Sequence, residues 1–321
     1  MTTQPRTPEA VARAATAVGT ARRVLVTGLA GAAAATIAAA CDLAERLGAA
    51  VDLADADVAR VAGPTIARIG QVTADEGELR DRADLVVFWY CDPSAADPAF
   101  LGRCVTAETR DGRRRRTLAI GPVGGLPESS DHRHLRVPDA TAVDLARVLH
   151  AVVAGSAATP PEPLAAVAAA VERAIAAAAC VAFVTRHRDP VGLGAWSLVG
   201  LVRAIAHRKP AFELPLAGAA GDTTLAAAVC TWRYGGPGAI ARAEPGGSDF
   251  RPAECDALRL VDRGEVDCVV AVGPLPAALE SAVNARIAPP AIVRVPADGA
   301  EATLAAIAAA IGPGAVAGGR P

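Results

Sequence analysis

One three-part plan occurs twice along this chain of 321 residues, and it constrains the fold more than any single motif. The first copy runs from the apolar stretch Val24-Leu25-Val26-Thr27 through Asp84-Leu85-Val86-Val87-Phe88-Trp89-Tyr90 to Thr117-Leu118-Ala119-Ile120. The second runs from Cys180-Val181-Ala182-Phe183-Val184 through Asp267-Cys268-Val269-Val270-Ala271-Val272 to Ala291-Ile292-Val293-Arg294-Val295. In each copy the middle stretch follows a charged helix end (Arg80-Asp81-Arg82 or Asp262-Arg263-Gly264-Glu265) and leaves through a proline turn, Asp92-Pro93 or Gly273-Pro274. Runs apolar at consecutive positions are what parallel strands require when helices cover both sheet faces.

Helical patterns alternate with these strands. Pro8–Val18 reads as a helix stopped at Gly19, and Ala32–Leu47 as a longer one closed by Gly48. Further helices are expected over Glu76–Arg82, Asp144–Val153, Leu164–Ala179, Trp196–His207, Arg251–Arg263 and Glu301–Ile311. The alternation predicts an α/β fold of two doubly wound, mostly parallel-sheet domains. The Gly- and Pro-rich stretch 155–163 marks the expected boundary, with domains at 1–155 and 156–321.

Charge and cysteine content exclude several functions. A net charge of −2 argues against nucleic acid as a partner, because neutralising phosphates needs a basic surface. The one basic run, Arg113-Arg114-Arg115-Arg116, reads as a solvated loop, with an anion contact as the alternative. Seven cysteines are scattered without a C-x-x-C pair, so structural zinc or an iron–sulfur cluster is not expected. Free thiols in apolar stretches, a polar N-terminus and short, charge-interrupted apolar runs predict a cytoplasmic protein that does not enter a membrane.

Candidate chemistry is sparse. Gly28-Leu29-Ala30-Gly31 sits where a dinucleotide loop would, but its glycines do not complete G-x-G-x-x-G, and Asp52 and Asp55 are only positioned like ribose-binding acids. No P-loop and no nucleophile elbow is present. Arg186 and His187 follow a strand, on the rim where such sheets bind ligands. His132 and His134 share an expected loop and could hold a metal only with a carboxylate partner. In Cys230-Thr231-Trp232-Arg233-Tyr234-Gly235-Gly236-Pro237-Gly238 two large aromatics adjoin a rigid run. That segment is either a loop anchored by a buried Trp232 or a pocket wall or subunit contact.

At that segment the chain resembles the family of formylmethanofuran dehydrogenase B subunits, within the molybdopterin oxidoreductases. The similar stretches are Arg203-Ala204-Ile205-Ala206-His207, Phe212-Glu213-Leu214-Pro215, Thr231-Trp232-Arg233-Tyr234-Gly235 and Arg259–Asp267. In the first half they are Leu43–Ala49, Glu78–Val86, and Asp92-Pro93 followed by Arg103-Cys104-Val105. Catalytic members carry an N-terminal cysteine cluster and a metal-ligating cysteine. Here no cysteine precedes Cys41, so the resemblance implies a member without the iron–sulfur module, most like the B subunit of the bacterial formyltransferase/hydrolase complex.

The resemblance implies a noncatalytic scaffold with no cofactor, metal or catalytic residue of its own. Its implied partners are a formyltransferase subunit, an amidohydrolase-like metal-dependent subunit and a glutamate-synthase-like subunit. Arg186, His187, Trp196, Trp232, Arg233 and Tyr234 are the candidate interface or vestigial-cleft residues. The rival readings are a pterin-binding molybdenum or tungsten redox subunit, and a stand-alone sugar- or nucleotide-binding protein.

Overall fold

A computed structural model describes residues 2–3, 7–55, 63–96, 98–122, 130–156, 162, 164–186, 193–216, 221–244 and 249–312. The chain divides into two units, one made of Met1–Ala67 with Gly218–Pro321 and the other of Arg68–Ala217.

The first unit holds strands β1 (Thr2–Thr3), β2 (Val24–Thr27) and β3 (Ala50–Val51), with helices α1 (Pro8–Thr20) and α2 (Ala34–Leu47). Helix α3 (Gly63–Ile69) crosses into the second unit, which continues with α4 (Glu76–Arg82), β4 (Leu85–Trp89), α5 (Pro93–Ala96), α6 (Phe100–Cys104), β5 (Arg116–Ile120) and β6 (His132–Leu135). It is completed by α7 (Ala142–Val153), α8 (Leu164–Ala176), β7 (Val181–Thr185), α9 (Leu193–Ala206) and β8 (Ala211–Pro215). The chain then returns to the first unit with α10 (Thr224–Tyr234), α11 (Ala257–Asp262), β9 (Cys268–Val272), α12 (Ala277–Asn284), β10 (Ala291–Val295) and α13 (Ala300–Ile311).

Each unit contains one five-stranded sheet whose named strands all pair in parallel, in the orders β1-β10-β9-β2-β3 and β6-β5-β4-β7-β8. Apolar residues line both faces. In the first unit Val24, Val26, Val270 and Val272 pack with α1, α2 and α13, while Leu25, Val269 and Ala271 pack with α11 and α12. In the second, Val87, Trp89 and Phe183 meet α7, α8 and α9, while Val86, Phe88 and Val184 meet α4 and α6. Two doubly wound α/β units are therefore present, as the alternating pattern predicted.

The expected division at 155/156 does not separate these units. It falls between α7 and α8, and Leu145 and Leu149 of α7 share one apolar core with Leu164 and Val171 of α8. The reason is an exchange of strands between the halves. The first copy's opening strand β2 pairs with the second copy's middle strand β9, and β7 pairs with β4 in the same way. The duplication nevertheless persists in detail. The buried residues of α2 (Ile37, Ala40, Cys41, Leu43, Ala44, Leu47) recur in α9 at one constant offset (Ala195, Leu198, Val199, Leu201, Val202, Ile205).

An aspartate fixes each exchanged pairing. Asp84, at the foot of β4, accepts hydrogen bonds from the amides of Ala179 (3.0 Å) and Cys180 (2.7 Å), just before β7. Asp267, at the foot of β9, accepts from the amides of Arg22 and Arg23 (2.9 Å each), just before β2. The backbone repeats the match. The amides of Asp84 and Leu85 donate to the Cys180 carbonyl, as those of Asp267 and Cys268 donate to that of Arg23.

Local boundaries shift where capping overrides composition. Helix α1 runs through Gly19 to Thr20, and α2 ends on left-handed Gly48 as expected. The helix expected over 251–263 begins only at Ala257, because Asp256 caps it by accepting from the Arg259 amide. His132 and His134 lie on β6 rather than in a loop. No helix among the described residues is long and apolar enough to cross a membrane.

Replacing Asp84 with Ala strands the buried Cys180 amide and the part-buried Ala179 amide and is expected to cost about 2 kcal/mol in urea unfolding, against about 1 kcal/mol for Asp267→Ala, whose side chain is 37% exposed. A fragment ending at residue 155 lacks β7 to β10, so circular dichroism and proteolysis should find neither sheet assembled.

Candidate functional site

Ligands of doubly wound sheets sit at the carboxyl ends of the strands, where the winding reverses. In the first unit that point lies between β2 and β9. A Cβ on Gly28 (φ 78°) would lie 3.2 Å from both the Val272 nitrogen and its oxygen, and one on Gly273 would lie 3.2 Å from the Gly28 oxygen. The ends of the two neighbouring strands thus pack backbone to backbone, and neither glycine position has room for a side chain.

The two acids behind this loop turn inward. Asp52 is buried and accepts from three amides, those of Ala54 (3.0 Å), Ala239 (2.8 Å) and Ala257 (2.9 Å). It gathers three chain segments at one carboxylate. Asp55, also buried, accepts from the Thr223 hydroxyl at 3.1 Å. Both are structural acids.

In the second unit the reversal lies between β4 and β7. The Cys91 thiol donates to the Val184 carbonyl at 3.3 Å, and the Tyr90 hydroxyl meets that of Thr141 at 2.8 Å. Burial raises the Tyr90 phenol to about 12, so it stays protonated at neutral pH. Arg186 follows β7 on this rim, and its buried Nε has no partner among the described residues. His187 lies outside the described residues.

The remaining candidates serve the fold. His132 Nδ1 meets the Thr117 hydroxyl at 2.7 Å, and His134 Nε2 meets the Gly121 carbonyl at 2.9 Å, so the pair faces separate partners. A cleft of about 490 Å³ lies beside His132, lined by Thr106, Glu108, Arg114 and Asp131.

The arginine run is only partly the solvated loop expected, since Arg114 is 68% exposed whereas Arg115 is buried. Arg115 is buried and donates to the carbonyls of Ala83 (2.8 Å), Thr106 (2.8 Å) and Arg80, capping the ends of α4 and α6. Arg114 pairs with Asp131 at 2.6 Å and Arg113 with Asp111 at 3.0 Å. All seven cysteines are buried outside any disulfide, and among the described residues no three His, Cys, Asp or Glu side chains converge on a metal position. This donor set does not fit an iron–sulfur cluster.

What stands out is α10. Trp232, expected as a possible buried anchor, is 85% exposed, and Tyr234, expected at an interface, is the buried one. Tyr234 donates its hydroxyl to Glu45 Oε1 at 3.1 Å, and Arg233 bridges Glu45 (2.7 Å) and Asp42 (2.8 Å) on α2. Behind them the glycine–proline run wraps the core, since a Cβ on Gly236 would strike the Phe250 ring at 2.5 Å.

The helix therefore has two apolar faces. Ala226, Cys230 and Tyr234 point inward and Val229 packs partly buried against the same core, while Leu225 (47% exposed), Ala228 and Trp232 lie at i, i+3 and i+7 on the outer side. The second unit has its own exposed pair, Leu193 and Trp196, at the start of α9. Isolated apolar residues are common on surfaces, but a helical stripe ending in an exposed Trp has the composition of an interface anchor.

Burial pushes Asp52 up to about 6 from an ordinary value near 3.8, with the three amides pulling the other way. A folded-state value above the unfolded one means stability that is present below about 3.8 and lost as pH rises to about 6. The unfolding free energy of the native chain relative to Asp52→Asn should therefore fall by about 3 kcal/mol across that window, and a flat difference would count against it.

No family model matches the chain, and no curated protein does. Among solved structures it is similar to a chain in the crystal structure of the formyltransferase/hydrolase complex (FhcABCD) from Methylorubrum extorquens, determined with methylofuran. The identity is 22% and the TM-score 0.64, over 91% of this chain and 80% of that one. At that identity the likeness establishes the fold: both chains share the α/β architecture of two units.

Proposed function

We propose that this chain is a noncatalytic structural subunit of a formyltransferase/hydrolase complex. Such a complex moves a formyl group from tetrahydromethanopterin to methanofuran and hydrolyses formylmethanofuran to formate during one-carbon oxidation. The formyltransferase subunit, an amidohydrolase-like metal-dependent subunit and a glutamate-synthase-like subunit are its partners. The observation that carries this reading is the outer face of α10, which offers an 85% exposed Trp232 to a partner.

Two features support it. At the ends of β2 and β9, Gly28 and Gly273 pack closely on each other's neighbouring backbone. The fold also matches a chain from a complex of that name. Arg186 and Trp196 are rim and surface candidates in the second unit, whereas Arg233 and Tyr234 support α10 from inside.

Co-expression with the three partner subunits, followed by purification, mass spectrometry and metal quantification, tests the assignment. The three named partners are expected at fixed stoichiometry. Stoichiometric molybdenum or tungsten on this chain would favour the pterin-binding redox reading instead, and turnover by the isolated chain would reject a noncatalytic role. Within the complex, Trp232→Ala is expected to weaken association at least about 30-fold, the effect of removing an interface anchor worth about 2 kcal/mol. The melting temperature of the free chain should hardly move, because the side chain is exposed.

A further inference from the structure

On the α8 side of the second unit's sheet, at the amino ends of its strands, lies a cleft of about 190 Å³. It is lined by Leu85 at the start of β4, Arg116 and Leu118 on β5, Asp131 just before β6, Arg133 on β6 and Arg173 on α8. Strand register explains the gathering. Leu85 pairs with Arg116 and Leu118 with Arg133, so these four side chains share one face of the sheet, the face that α8 covers. The volume is far above the ~15 Å³ that a single water needs.

Three of these side chains carry charge that the fold does not use. Arg116 is half-buried, Arg133 and Arg173 are exposed, and none of the three guanidiniums has a hydrogen-bond or ion-pair partner among the described residues. Asp131, the acid lining the cleft, is already paired with Arg114 at 2.6 Å. Arg173 stands in the last turn of α8, where a cation could serve the terminal carbonyls. That role is taken by Lys209, whose Nζ donates to the carbonyls of Ile175 (2.9 Å), Ala176 (3.0 Å) and Ala178 (2.7 Å).

The rest of the arginine run is engaged. Arg113 meets Asp111, Arg114 meets Asp131 and Arg115 caps two helices, which leaves Arg116 as the member turned to the cleft. Cationic groups collected in a cleft concentrate counter-ions there, even in a chain whose net charge is −2. Guanidinium forks match the oxygens of phosphates and carboxylates.

We propose that this cleft binds a phosphate group, free or carried by a small phosphorylated molecule, through Arg116, Arg133 and Arg173. A phosphate monoester brings about −1.5 to −2 charges and three acceptor oxygens to three donors, whereas a monocarboxylate brings one charge and two oxygens. Leu85 and Leu118, both buried, give the cleft an apolar floor, and a poorly hydrated floor strengthens each ionic contact above it. The site lies at the end of the sheet opposite the rim where doubly wound folds hold cofactors. It is independent of whether the chain is a subunit of the proposed complex.

The test is isothermal titration calorimetry of the full chain with inorganic phosphate, with glycerol 3-phosphate and, as a monocarboxylate control, with acetate, all at matched ionic strength. Saturable binding of phosphate with Kd below about 1 mM is expected, and none of acetate. Arg116→Gln, Arg133→Gln and Arg173→Gln should each weaken it at least about tenfold, the loss of one charge-assisted hydrogen bond, whereas Arg13→Gln, exposed on α1, should not. Tighter binding of glycerol 3-phosphate assigns the site to a phosphorylated molecule, and equal or weaker binding assigns it to free phosphate. A second readout needs no variant: phosphate should protect Arg116, Arg133 and Arg173 of the wild-type chain from phenylglyoxal, as mapped by mass spectrometry. Absence of saturable binding, an equal response to acetate, undiminished binding in any of the three variants, or protection confined to other arginines would overturn the proposal.

Discussion

Two carboxylates hold this architecture together. Asp84 and Asp267 each stand at the foot of a central strand and bind the last amides of the segment that becomes its neighbour. The strands themselves, Val86-Val87-Phe88 against Ala182-Phe183-Val184 or Val269-Val270-Ala271 against Leu25-Val26-Thr27, carry almost no register information, because they are apolar on both faces. Sliding one such strand by a residue exchanges one apolar face for another. It would also pull the carboxylate from its amides, leaving a charge and two donors without partners. One polar contact per sheet supplies the specificity that burial does not.

The clamps also explain why the units are not the halves of the sequence. Asp267 reaches back 245 residues to the amide of Arg22, and Asp84 reaches forward 96 to that of Cys180. Each half contributes its opening strand to the sheet built on the other half's middle strand, so neither half contains a complete sheet. The kinship of the halves survives this exchange: α2 and α9 bury the same six positions, and the turns around Asp84 and Asp267 repeat the same backbone bonds. Pairings of such separation close slowly, which places much of the folding problem in bringing β2 to β9 and β4 to β7.

How much of this was legible in the sequence depended on whether a residue's neighbours were local. Strand cores, the α2 helix with its Gly48 stop, and the α/β class follow from periodicity and caps, which act within a few residues. The strand exchange does not, because the Gly- and Pro-rich stretch 155–163 looks like a domain linker while Leu149 and Val171 pack across it. Charge misled in the arginine run, where Arg115 is buried because the carbonyl ends of two helices need donors there. Trp232 and Tyr234 were left undistinguished for a simpler reason. With the segment read as a loop before a glycine run, nothing ranked the two aromatics; as a helix, Cys230 and Tyr234 share a face and Trp232 takes the other.

The glycines after β2 show how one residue type can serve two ends. A glycine at a strand-to-helix turn lets backbone approach something closely, and in a dinucleotide fold that something is a phosphate. Here Gly28 approaches Val272 and Gly273, so the missing side chain makes room for another turn of the same protein. Asp52 underlines the change, since its carboxylate is buried and turned to three amides of its own unit. The first unit exposes Leu225 and Trp232 on α10 as well as Ile287, and Arg233, Glu45 and Tyr234 brace α10 from behind. A helix held so firmly on one side, with Trp232 exposed on the other, is preorganised to present its side chain rather than to fold around a ligand.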